Sequence, residues 1–189
     1  MTVTFKRTGE RRYGVFVERD KAPAMVMHPA PGYDEFLPHD LLHFVAEAEW
    51  QIDGAVFGQL AAGGDAGTFW PLEQKLIGKW GRRRRRLRKR HGRGRRSELI
   101  TGVLEHAWNA RRGRAPLPDD WNERLAAARV DPERLDAVVA SLDALAERWH
   151  SLRIGESITL EWPRPERRSR RAPQRPQHGA PRRRVRSAS

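Results

Sequence analysis

Three observations predict an α+β fold. Residues 2–18 alternate apolar and polar side chains on either side of a turn, as a β-hairpin does. Residues 156–162 alternate in the same way but stand alone, and a lone strand needs a sheet to join. Between the two, apolar residues recur at helical spacing. Pairing the late strand with the early hairpin makes a small antiparallel sheet with helices packed on it.

In the hairpin, Val3 and Phe5 alternate with Thr2, Thr4 and Lys6. RTGERR turns the chain, and Tyr13, Val15 and Val17 line the return strand. AMVMH, 24–28, supplies a third short strand, and PAPGYDEFLP is a run of turn formers. A helix follows from about residue 38, where Pro38 suits the first turn and Asp40 complements the positive helix end. Its core stripe is Leu41, Phe44, Val45 and Ala48, while His39, His43, Glu47 and Trp50 fall on another face. Asp53-Gly54 turns the chain into a second short helix, AVFGQLAA, and GGDAGTFWPLEQ reads as a loop.

Beyond an arginine block, Ile100, Val103, Leu104, Ala107 and Trp108 mark an amphipathic helix ended by Gly113. Asp120 with Glu123 fits a capping box for a helix carrying Trp121 and Leu125. Asp131 as N-cap and Pro132 at the first helical position open a longer helix, striped by Leu135, Val138, Val139, Leu142, Leu145 and Trp149. The last strand sets Ile158, Leu160 and Trp162 against Ser157, Thr159 and Glu161. The expected organisation is one domain over 1–162, with a basic insertion at about 81–96. An Arg/Pro-rich tail over 163–189 has almost no apolar residues and is expected to be disordered.

The 189 residues include no cysteine, which removes disulfides, thiolate nucleophiles and cysteine-based zinc sites together. No stretch approaches the roughly 18–20 apolar residues of a membrane helix, and the first residues lack the apolar core of a secretory signal. A soluble cytoplasmic protein is expected. The net charge of +13 is unevenly spread: residues 1–80 carry −3, 81–114 carry +12, 115–163 carry −5 and 164–189 carry +9. The body is mildly acidic and the positive charge lies in two segments.

PHDLLHF, 38–44, is the segment with chemistry in it. Histidines four apart lie one above the other on a helix, so His39 and His43 can share an ion, and Asp40 lies within reach of the same side. Glu47 stands too far along the helix to share that ion with His39 but could orient His43 from behind. A further ligand must come from elsewhere, with Gln59 and His28 as candidates. A divalent metal, zinc first, is the expected cofactor. The alternative is a helix whose solvated face carries two histidines.

HDLLH followed by VFGQLA resembles the HDxxH…E zinc motif of the coenzyme Q biosynthesis scaffold family. That resemblance covers residues 39–60 and implies His39, Asp40 and His43 as ligands, with the neutral Gln59 standing where the family has a glutamate. As a whole the chain, with PGYDEFLPHDLLHF and GQLAAGGDAG, resembles small uncharacterised proteins of high-GC bacteria, which implies no activity.

The arginine block is the second feature. Arg82, Arg83, Arg84, Arg85, Arg86, Arg88, Lys89, Arg90, Arg93, Arg95 and Arg96 could bind nucleic acid or another polyanion through its phosphates, without sequence preference. Trp80 is the one aromatic beside them, and no helix-turn-helix, RRM or zinc-finger pattern accompanies them. A solvated charge run is the plainer reading of the same residues. No P-loop, GxGxxG or GxSxG is present, and GGDAG reads as a turn. Whether the protein is an enzyme is left open by the sequence.

Overall fold

The computed structural model describes residues 1–31, 36–87 and 94–163, with side chains described for all of these except 83–87. Among these residues five strands form one antiparallel sheet: β1 (Thr2–Gly9), β2 (Arg12–Glu18), β3 (Met25–Met27), β4 (Trp70–Pro71) and β5 (Ser157–Glu161), in the order β4-β3-β2-β1-β5. The pairing of the late strand with the early hairpin is present, with Val3 opposite Leu160 and Phe5 opposite Ile158. One sheet face carries Val3, Phe5, Tyr13, Val15, Val17 and Ile158, all buried. On the opposite face Thr4 and Thr159 meet through their hydroxyls at 2.9 Å.

Among the described residues six helices complete the α+β fold: α1 (His39–Glu49), α2 (Val56–Ala61), α3 (Gln74–Leu87), α4 (Arg95–Arg111), α5 (Trp121–Ala128) and α6 (Pro132–Ser151). Helix α1 packs on the sheet through Phe44, whose ring meets those of Phe5, Phe57 and Trp162 at 6.1, 5.2 and 5.7 Å between centroids. Burying an aromatic ring of that size contributes about 1.5–3 kcal/mol, and the edge-on geometry adds to it. Helix α4 covers the other side of α1. It is held to α6 by Trp108, whose indole N–H donates to Asp143 at 2.9 Å, with Arg111 and Arg112 on the same carboxylate.

Four expectations change. Helix α1 has no solvated face over its middle: Leu42, His43, Ala46 and Glu47 are buried as fully as the predicted stripe, because α4 lies where solvent was expected. The stretch read as a loop contains β4, which pairs Trp70 with Val26 and Pro71 with Met25. Helix α3 then starts at Gln74 and runs into the basic block, since arginine and lysine are good helix formers. Asp120 does not cap α5; its carboxylate takes the Arg124 guanidinium four residues on, at 2.7 Å. The N-cap at Asp131 does form, accepting from the Glu133 N–H at 3.1 Å. The tail from residue 164 and the block residues 88–93 lie outside the described residues.

Candidate metal centre

Helical spacing sets His39 and His43 one turn apart, and their rings stand nearly perpendicular, at 88°, with Nε2 atoms 3.2 Å from each other. Glu98, in the first turn of α4, brings Oε2 to 3.7 Å from His43 Nε2. One ligand atom from each of His39, His43 and Glu98 lies within 4.8 Å of the others, so the three could hold a metal ion. A tetrahedral zinc with bonds of about 2.0–2.1 Å sets neighbouring donors about 3.3 Å apart. The two histidine nitrogens already stand close to that edge length. The Glu98 carboxylate is exposed, 3.7 Å from His43 Nε2 and within 4.8 Å of the His39 ligand atom, so it has to close on both rings for the three to share an ion.

What lies behind His43 decides which of its nitrogens carries the proton. The ring is 6% exposed, and its Nδ1 lies 3.0 Å from Ser97 Oγ and 3.2 Å from Thr101 Oγ1. Ser97 gives its single hydroxyl proton to Glu47 Oε1 at 3.1 Å. Its oxygen can then only accept from His43, so Nδ1 carries the hydrogen and Nε2 presents its lone pair toward His39 and Glu98. That is the ligating tautomer. Without a metal, the 3.2 Å contact is a hydrogen bond from the His39 N–H to that lone pair.

Glu47 anchors the chain of contacts. It is 0% exposed, and it accepts from the N–H groups of Val56 (3.0 Å), Phe57 (2.7 Å) and Gly58 (3.1 Å). These are the first N–H groups of α2, whose own N-cap, Ala55, has no side chain to satisfy them. A carboxylate from α1 therefore caps α2. Burial pushes Glu47 up to about 7, against the pull of Gly58, Phe57, Ser97 and Val56 toward the charged form. Burial lowers His43, which keeps it neutral and able to ligate; Glu98 acts in the opposite sense and His39 adds to the lowering.

The approach of α2 to Glu47 requires glycine at position 58. A Cβ there would stand 2.5 Å from the Ile52 carbonyl oxygen and 2.6 Å from Asp53 Cα. Gly58→Ala is expected to force the 52–53 turn away and cost about 1–3 kcal/mol, a loss that urea unfolding would measure.

Ser97, His43 and Glu47 do not make a nucleophilic triad. Ser97 is 1% exposed and bridges the other two, with its proton on the carboxylate and its lone pair toward the ring. No substrate atom reaches it. The arrangement does what a carboxylate behind a metal-bound histidine does: it fixes the ring's tautomer and orientation.

The sequence-predicted residues divide among several places. His39 and His43 come together. Glu47 lies behind His43, reached through Ser97. Asp40 turns the other way and accepts from the Tyr13 hydroxyl at 2.5 Å; burial raises its pKa, with Tyr13 and His39 acting against that. Gln59 donates to the Gly54 carbonyl at 2.8 Å, and His28 stacks on Phe16, so neither joins the group. Glu98 was not singled out from the sequence. Its signal lay beside it: Ser97 and Thr101 fall on the same helical face as Leu104 and Trp108, and polar residues leading an apolar stripe imply a buried polar partner. Of the block, Arg82 is exposed on α3 and Arg95 and Arg96 are exposed at the start of α4. The side chains of Arg83, Arg84, Arg85 and Arg86, and all of Arg88, Lys89, Arg90 and Arg93, lie outside the description.

No protein family, curated protein or solved structure matches the chain. No helix among the described residues is long and apolar enough to cross a membrane.

Proposed function

We propose that the protein binds a divalent metal ion, zinc first, through His39 Nε2, His43 Nε2 and a Glu98 oxygen. The observation that carries this reading is the relay from Glu47 through Ser97 to His43 Nδ1, which leaves the ring's other nitrogen with its lone pair beside His39 and Glu98, two further ligand groups. Asp40 and Gln59, the ligands suggested by the HDxxH resemblance, have other partners, and Glu98 takes the place of both.

The test is metal content by mass spectrometry of protein purified without chelator and reloaded with zinc. Wild type is expected to hold about one equivalent. His39→Ala is expected to hold less than about a tenth of that, since loss of one of three ligands is rarely tolerated. His39 is exposed and its side-chain contact in the metal-free protein is with His43, so the variant should stay folded with a loss of about 1 kcal/mol, read by urea unfolding. A wild type that takes up no zinc, iron or manganese would overturn the reading.

A further inference from the structure

We propose that the open side of this metal centre takes a phosphate-bearing ligand, with one phosphate oxygen on the metal and the others held by the Arg95 guanidinium. The inference rests on the metal reading above. Three protein donors are the number found in sites that keep a position open, whereas structural zinc sites close with four. His39 and Glu98 are both exposed, so the fourth direction faces out of the fold.

The charge there selects an anion. Two neutral imidazoles and one carboxylate leave a dipositive ion with a net charge of about +1. Arg95 lies three residues before Glu98 on α4 and is exposed. Side chains three apart are neighbours on one side of a helix, with Cβ atoms about 5–6 Å apart, so the long Arg95 side chain can reach the carboxylate that would hold the metal. In sequence, 81–114 carries +12 while 1–80 and 115–163 are acidic, and a chain segment so charged attracts anions. A carboxylate ligand has two oxygens and would spend one on the metal. A phosphate has oxygens left for the two-pronged contact that arginine makes.

Arg96 supplies an internal control. It has the same charge and exposure, but its position two before Glu98 puts it on the far side of the helix. Diffuse attraction would treat Arg95 and Arg96 alike, and a built site would not.

The experiment uses the full chain loaded with cobalt(II), whose visible bands report changes at the metal, titrated with phenyl phosphate and separately with an oligothymidylate. A band change is expected with one of them. Phenyl phosphate assigns a small ester and the oligonucleotide assigns the internal phosphates of a strand. Arg95→Ala should weaken that response about ten-fold or more with cobalt uptake unchanged, and Arg96→Ala should leave it nearly intact. No band change, or equal loss in the two variants, overturns the proposal. So does phosphate binding by calorimetry that is unchanged in His39→Ala. Failure of wild type to take up cobalt fails the metal reading itself, and the inference with it.

Discussion

Glu47→Ala is expected to destabilise the protein by about 3–5 kcal/mol, the range for stripping one partner from a buried, hydrogen-bonded charge. Three backbone N–H groups at the start of α2 lose their acceptor at once, and Ser97 loses the recipient of its proton. Glu47 is 0% exposed, so bulk solvent does not reach these donors while the site stays closed. Glu47→Gln keeps the shape but turns an amide NH2 toward donors, and should recover only part of the loss. Urea unfolding of the three proteins checks this.

The same side chain sets a pH dependence with a definite sign. Glu47 titrates near 7 when folded, against 4.5 when unfolded. Between those values the folded state holds a proton that the unfolded state has released. Stability from this group is therefore full below about pH 4.5 and is lost as pH rises through 7, up to about 3 kcal/mol. His43 works the other way. Its folded pKa lies below 6.5, so its contribution is present above 6.5 and is lost as pH falls. The difference in unfolding free energy between wild type and Glu47→Gln, followed from pH 5 to 8, isolates the first slope. A difference that does not change with pH would show that the carboxylate stays charged throughout.

Metal affinity should fall by about ten-fold for each pH unit below 7, through one proton on Glu47. Both carboxylate oxygens already accept from N–H groups, so an added proton has Ser97 Oγ as its acceptor. Ser97 would then turn its own hydrogen to His43 Nδ1, and the ring's hydrogen would move to Nε2, where a metal bond needs a lone pair. Ser97→Ala breaks this relay. Its affinity should be about 10–100-fold lower at pH 8, the usual effect of removing a group that orients a ligating histidine, and its dependence on pH should be shallower. Competition against a chromophoric zinc chelator from pH 6 to 8 reads both quantities. Parallel curves for wild type and Ser97→Ala would place the titrating proton elsewhere.

The sheet was legible because strand alternation has a period of two and both ends of the chain show it cleanly. Val3, Phe5 and Ile158 point inward as their spacing requires. The end of α6 near Trp149 and its start at Asp131 were equally plain. β4 was invisible because two residues set no pattern, and its strand character comes wholly from pairing with β3. At the site, His39 and His43 were readable from spacing within one helix. Glu98 was not, because it comes from a helix whose docking on α1 is decided by packing between distant segments. Asp40 was misleading for a related reason: its proximity in sequence to the histidines says nothing about Tyr13, a strand residue that claims it. The role of Glu47 as a cap for α2 depends on a turn at 52–53 that no periodicity encodes.

An ion held between α1 and α4 would also be a clasp across the chain. His43 and Glu98 are separated by about 55 residues, and closing a loop of that length restricts the unfolded chain far more than a local contact does. Inside that loop lie α2, β4 and α3. A bound ion would therefore add its binding free energy to the packing and the Ser97 hydrogen bonds that already join α1 to α4, and the whole domain would unfold at higher temperature when loaded.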